Sequence, residues 1–219
     1  MKSQIFHTNL YKKIEANILK LVNSQPVFLS DRTASSPRAV GDAVQMILSD
    51  NFRSILGEVC QDYNSDFARR AMADLAFTDN DGLYYLVDVK THRLDTKFNM
   101  PNLTSVERIA RFYEDDKNHF VILMVAYLIQ GTKIKVEKVH FVPIEFLSWD
   151  CLTVGALGWG QIQIANANVI NINKEYPRKK WMLELCDVMM DFYPSEIGKI
   201  KERIIYFKKL KQRWENKRV

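Results

Sequence analysis

Residues 73–110 read ADLAFTDNDGLYYLVDVKTHRLDTKFNMPNLTSVERIA, and the patterning of this stretch decides the fold. Ala73–Phe77 and Leu83–Lys90 are rich in aliphatic and aromatic residues, and the TDNDG between them suits a turn, which predicts a hairpin. THRLDTKFNMPN reads as an irregular loop. Thr104, with Glu107 three residues later, matches a capping box that opens a helix through Val106, Ile109, Ala110 and Tyr113. Upstream, Ser36 followed by Pro37 predicts a helix start. Val40, Val44, Leu48, Phe52, Ile55 and Val59 then mark one face of a helix over about 37–59. Downstream, HFVILMVAYLI is a buried strand, and Gln130-Gly131 turns it into KIKVEKVHFV, whose alternation has one break.

Outside this centre, Ile14, Ile18, Leu21 and Val22 mark an amphipathic helix ending before Pro26, and residues 144–149 suit a short helix. The Gly-, Asn- and Gln-rich segment 151–173 contains one alternating piece, GQIQIAN. Two amphipathic helices are expected over 177–193 and 197–216. The expected fold class is α/β, a single domain over 1–219 with a central mixed sheet and a helical C-terminus.

Composition agrees with one sizeable core: 219 residues, 47% hydrophobic and 26% charged, exclude disordered and collagen-like chains. The net charge of +5 is local. Residues 197–219 carry nine basic and two acidic side chains, which leaves 1–196 with 22 basic and 24 acidic ones. Cys60, Cys151 and Cys186 are widely spaced, so neither a disulfide framework nor a zinc knuckle is expected, and a reducing cytoplasm suits them. The N-terminal residues lack the pattern of a signal peptide. The longest apolar run, Phe120–Ile129, has ten residues, too few to span a bilayer as a helix, so no membrane partner is expected.

Chemistry concentrates on the hairpin. Asp88 and Lys90, two apart on a strand, share a face, and a turn near residues 80–81 sets Asp74 opposite position 87 or 88. Two carboxylates and an ammonium at a strand end suit Mg2+ acting on phosphodiesters, since carboxylates are hard oxygen ligands and the ion keeps places for water and phosphate. The spacing alone is weak. D-x-K recurs at Asp95–Lys97 and Asp115–Lys117, and E-x-K at Glu215–Lys217, and a solvated strand end is the plain alternative for Asp88 and Lys90. What separates the first is its apolar strand, LYYLVDVK, and the acid on the strand before it.

Asp74, thirteen residues, then DVK resembles the PD-(D/E)xK nuclease signature, and the order helix, hairpin, helix, strand is similar to that core. More specifically, residues 73–110 resemble the active-site segment of type II restriction endonucleases of the HincII/EcoRV-like, blunt-cutting branch: strand, turn, strand, DVKT, loop, a P-N pair and a helix. Ala73 stands where the family usually has proline. Beyond these roughly 40 residues the similarity thins to GQIQIAN and a helical tail. The resemblance implies a restriction-endonuclease-like α/β/α core over about 37–145, a DNA readout segment over about 151–173 and C-terminal helices over about 177–216. It implies Asp74, Asp88 and the Val89 carbonyl as Mg2+ ligands and Lys90 as the catalytic lysine. An additional acid on the preceding helix occurs in some members, and Asp42 and Glu58 are equal candidates.

The same resemblance implies double-stranded DNA as substrate, cleaved on both strands of a short palindrome, a C2 homodimer, and a cognate DNA methyltransferase as functional partner. Thr91, His92, Lys97, Asn99 and Asn102 fall where such enzymes meet DNA, His92 as a phosphate contact; Asn102 could equally cap the following helix. The carboxamides Gln161, Gln163 and Asn166, followed by Asn168, Asn171 and Asn173, suit a second readout strand or, alternatively, a polar edge strand with turns. Few basic side chains accompany these amides, which favours an A·T-rich site unless Arg69, Arg70 or Arg93 reaches the groove. Gly155, Gly158 and Gly160 lack the spacing of a phosphate-binding loop and suit a tight turn, while His7, His119 and His140 form no metal-ligand spacing. The basic residues Lys201, Lys208, Lys209, Lys211 and Arg213 are either solvated or phosphate contacts. A repair nickase, a junction resolvase and a non-catalytic DNA-binding protein are the rival readings.

Overall fold

The computed structural model describes residues 2–26, 29–64 and 73–217. The chain divides into two compact units, Met1–Glu175 and Tyr176–Val219. The first is mixed α/β. Its main sheet has five strands in the order β1-β2-β3-β5-β6: β1 (Cys60–Asn64), β2 (Leu75–Asp79), β3 (Tyr84–Arg93), β5 (Asn118–Gln130) and β6 (Lys133–Pro143). β3 and β5 are parallel and the other neighbouring pairs antiparallel, so the sheet is mixed. The second unit holds one long helix, Arg178–Glu215. No helix among the described residues is long and apolar enough to cross a membrane.

Four helices precede the sheet: α1 (Gln4–His7), α2 (Leu10–Ser24), α3 (Asp31–Ala34) and α4 (Pro37–Leu56). α4 begins as its sequence predicts. The Ser36 side chain accepts from the Ala39 N–H, Pro37 follows, and Val40, Val44, Leu48, Phe52 and Leu56 are buried along one face. It stops three residues short of the expected 59, because Gly57 adopts φ +61° and turns the chain towards β1. The strand β1 has no counterpart in the sequence reading. CQDYN lies at the sheet edge with little burial, so it lacks the apolar alternation that marks a strand.

The hairpin forms where expected. Asp79 Oδ1 accepts from the N–H groups of Asp81 and Leu83, Gly82 supplies φ +74°, and Phe77 stacks on Tyr85 at 4.5 Å. After α5 (Val106–Phe112), β5 runs back beside β3 in register from Tyr84↔Asn118 to Arg93↔Tyr127. The break in the alternation of β6 is a β-bulge: Ala126 faces Lys138 and Tyr127 faces Val136, leaving Glu137 as the extra residue.

Helices of the N-terminal segment cover one face of this sheet. Phe6 packs near Tyr85 and Phe141, and Phe52 near Phe77 and Phe141. Tyr84 and Phe112 of α5 meet on the other face, and a three-stranded sheet in the order β4-β8-β7 is formed by β4 (Asn102–Ser105), β7 (Leu152–Gly155) and β8 (Gln161–Ile164).

Local readings need correction in three places. Thr104 is a buried strand residue rather than a cap, and Ser105 caps α5 by accepting from the Arg108 N–H. Both hydroxyl residues can cap, and pairing of β4 with β8 takes Thr104. Residues 144–149 carry a 3-10 turn, Ile144–Phe146, with a second at Trp149–Cys151, instead of one short helix. Lastly, the two helices expected after residue 177 are one 38-residue helix, α6 (Arg178–Glu215), that runs through Pro194. A single interior proline removes one hydrogen bond and crowds one carbonyl, and the long runs of helix-forming residues on both sides carry the helix past it.

Candidate active site

Asp74 sits one residue before β2, with its N–H donating at 3.0 Å to the carbonyl of Val87, the partner of Leu75, so two residues face Val87 and the ladder ends there. The Asp74 carboxylate is held at both ends. Oδ2 accepts from the Val89 N–H at 2.7 Å, and Oδ1 from Gln45 Nε2 of α4 at 2.7 Å. Asp88, 5% exposed, accepts a 2.8 Å charged hydrogen bond from Lys90 Nζ on Oδ1. Its Oδ2 is buried without a hydrogen-bond partner. Burial pushes the Asp88 carboxyl up to about 7, against the pull of the Lys90 charge, and the neighbouring Asp74 charge adds to the rise.

A buried carboxylate oxygen lacking a donor is costly unless something cationic or protonated meets it. The donor set fits a hard divalent cation: Asp74 and Asp88 could hold it, with the carbonyl of Val89, the residue after Asp88. Among the described residues no group of three or more His, Cys, Asp or Glu side chains gathers for a metal. A cation here would therefore fill its shell with backbone, water and phosphate oxygens, the habit of Mg2+ rather than of zinc.

Gln45 is the residue that sequence reasoning missed. Gly41, one turn earlier, lies so near β3 that a Cβ there would stand 3.1 Å from Thr91 Oγ1. A glycine inside an apolar-periodic helix signals such an approach, and the polar residue one turn on shares its face. Asp42 and Glu58 play no comparable part. Asp42 is exposed, and Glu58 lies beside the hairpin turn, where its carbonyl accepts from Asn80 Nδ2. The look-alike motifs are surface features: Asp95 pairs with Arg93 at 2.6 Å, Asp115 accepts from the Lys117 N–H, and Glu215 lies 3.7 Å from Lys211.

The expected DNA contacts separate into inward and outward groups. His92 is buried, with Nε2 at 2.8 Å from Asn168 Oδ1 and Nδ1 at 3.4 Å from Asn99 Nδ2, so its ring ties together two loops instead of facing solvent. Asn168 Nδ2 also donates to the carbonyls of Thr96 and Lys97. Thr91 points at Gly41 of α4, the opposite side of β3 from Asp88, Lys90 and His92. Asn166 accepts from the Asn168 N–H within a turn.

Outward-facing groups remain on the small sheet. Asn102 belongs to β4 and does not cap α5; its Oδ1 accepts from Gln163 Nε2 across the β4–β8 pair, with Gln161 two residues along β8. Gln163 lies against Gly155, where a Cβ would come within 2.8 Å of its Oε1. Lys97 is exposed, as are Phe98, Met100, Leu157 and Trp159, and the Arg111 guanidinium lies 5.9 Å from the Trp159 ring centre. Gly158 at φ +58° shapes the tight turn before β8. Of the remaining histidines, His119 stacks on Tyr85, and burial with the nearby Lys138 charge pushes His140 down to about 4. Arg69 and Arg70 lie outside the described residues.

In comparison with known proteins, the chain matches no family model, and no curated protein is significantly similar to it.

Proposed function

We propose that the protein is a Mg2+-dependent type II restriction endonuclease on a PD-(D/E)xK core. The observation that carries this reading is the unpartnered, buried Oδ2 of Asp88, next to the Asp88–Lys90 ion pair and within reach of the Asp74 charge. The antiparallel β2–β3 hairpin followed by a helix and a parallel β5 supports it, as does the local resemblance of residues 73–110.

On this reading Asp74, Asp88 and the Val89 carbonyl hold Mg2+, which when bound supplies Lewis-acid stabilisation of a phosphate oxygen and acidifies water. Lys90, held by Asp88, orients the attacking water and faces the charge that builds on the phosphate. Gln45 and the Val89 N–H fix the Asp74 carboxylate, so little reorganisation is needed when substrate arrives. Water attacks phosphorus and the bond to the 3′ oxygen breaks, leaving a 5′-phosphate and a 3′-hydroxyl. A palindromic site is met by a C2 homodimer, and a cognate methyltransferase protects host DNA in the cytoplasm. Asn102, Gln161 and Gln163 present carboxamides suited to adenine edges.

Incubation of the purified chain with supercoiled plasmid of known sequence, with and without Mg2+, tests the reading. Discrete linear fragments with fixed 5′-phosphate ends are expected only with Mg2+. Nicking alone, cleavage confined to branched DNA, or binding without cleavage replaces it with one of the rivals.

A further inference from the structure

Ile197, Ile200, Ile204, Phe207 and Trp214 stand three, four, three and seven residues apart on α6, with Lys211 filling the last interval. All five apolar residues are exposed, and Ile200, the least so, is still 48% exposed. Running back along the helix, the same spacing continues through Tyr193, Met190, Cys186 and Leu183, all exposed, so the heptad stripe covers residues 183–214. At 1.5 Å per residue that is about 48 Å of helix. The buried Trp181 and Leu185 lie off the stripe and the buried Met189 borders it, while Pro194 and the exposed Ile205 and Tyr206 lie off its seam. An a/d stripe sustained over more than four heptads is the seam of a coiled coil.

We infer that this stripe is an interface for a second copy of the chain, joined as an antiparallel two-stranded coiled coil centred between Gly198 and Lys199. The occupant follows from charge. In that register Glu196 meets Arg203 of the second copy, Asp187 meets Lys208, and Lys180 meets Glu215; of the six flanking pairs these are the three with a charge on both sides, all are of opposite sign, and each occurs twice about the two-fold axis. Glu196 also carries Lys199 of its own helix at 2.7 Å through Oε1, which leaves its other oxygen for Arg203. The seam layers pair Ile197 with Ile200, Tyr193 with Ile204, Met190 with Phe207, Leu183 with Trp214, and Cys186 with Lys211. A parallel pair would set Arg203 beside Lys208 and Lys211 against its own copy, placing like charges in contact. A DNA duplex would leave the apolar stripe uncovered. The inference rests on α6 alone; the nuclease reading calls for a homodimer but names no interface, and loss of the cleavage reading would leave this seam in place.

Light scattering on the full chain should give twice the monomer mass, and Ile200→Asp should give a monomer with unchanged circular dichroism. Glu196→Arg or Arg203→Glu alone should weaken the dimer tenfold or more, and the double swap should restore it. A short bis-maleimide should link Lys211→Cys chains through Cys186 of the second copy and leave the wild-type chain uncrosslinked. A monomeric wild type, a dimer indifferent to Ile200→Asp, a double swap no tighter than the singles, or wild-type crosslinking through paired Cys186 would each overturn the inference.

Discussion

The side chain of Gln45 donates a 2.7 Å hydrogen bond to Asp74 Oδ1, tying the middle of α4 to the residue just before β2. The Val89 N–H holds the other oxygen at the same distance, so the carboxylate is fixed from a helix and from a neighbouring strand at once. A ligand fixed in this way loses little freedom when it takes up a cation.

Gln45→Ala should therefore raise the Mg2+ concentration needed for half-maximal cleavage, by roughly 10- to 100-fold, the usual range for removing a group that orients a metal ligand. Mg2+ titrations of plasmid cleavage measure this. An unchanged requirement would reduce the Gln45–Asp74 bond to a packing feature.

Asp74→Ala, Asp88→Ala and Lys90→Ala should each abolish cleavage and leave a folded protein that binds DNA. Asp95→Ala and Asp115→Ala should stay active, because those carboxylates serve a half-buried arginine and a surface turn. Single-turnover assays beside thermal melts separate lost chemistry from lost fold. Retained activity in Asp88→Ala would refute the site.

Stability should depend on pH through Asp88. Its folded-state pKa of about 7 lies above the ordinary 3.8, so between these values the folded chain binds more protons than the unfolded one. Without Mg2+ the associated stability is full below pH 4 and is lost as pH rises through 7. Asp88→Asn should stabilise the fold at pH 8 by on the order of 1–3 kcal/mol, read as a higher melting temperature, and flatten the pH profile. Millimolar Mg2+ should stabilise the wild type at pH 8 and do so less for Asp88→Asn. A lower melting temperature for Asp88→Asn across this range would contradict the assignment.

Base readout should fall on the small sheet. Selection from a randomised DNA pool, with sequencing of the cleaved ends, should return an A·T-rich palindrome, and Gln161→Ala with Gln163→Ala should relax it by about 1–3 kcal/mol per contacted pair. Recovery of a G·C site would defeat the carboxamide reading and leave the hydrolytic one intact.

Local order decided much of this protein from its sequence. The Ser36-Pro37 start of α4, the TDNDG turn, the apolar β5 and the bulge in β6 all follow from interactions within a few residues: a cap, a turn, a period of two and one break in it. The meeting of Asp74 with position 87 follows as well, because a short turn sets the register of the strands it joins. Contacts between distant segments were not legible. Gln45 reaches Asp74 across 29 positions, His92 engages Asn168 across 76, and Gln163 holds Asn102 across 61. A glutamine, a histidine and an asparagine look alike in sequence whether they face solvent, cap a helix or tie two loops together. Only the packing of α4 on β3 and the meeting of the loops at His92 select among those uses, since a side chain's chemistry depends on the partners and the water left around it.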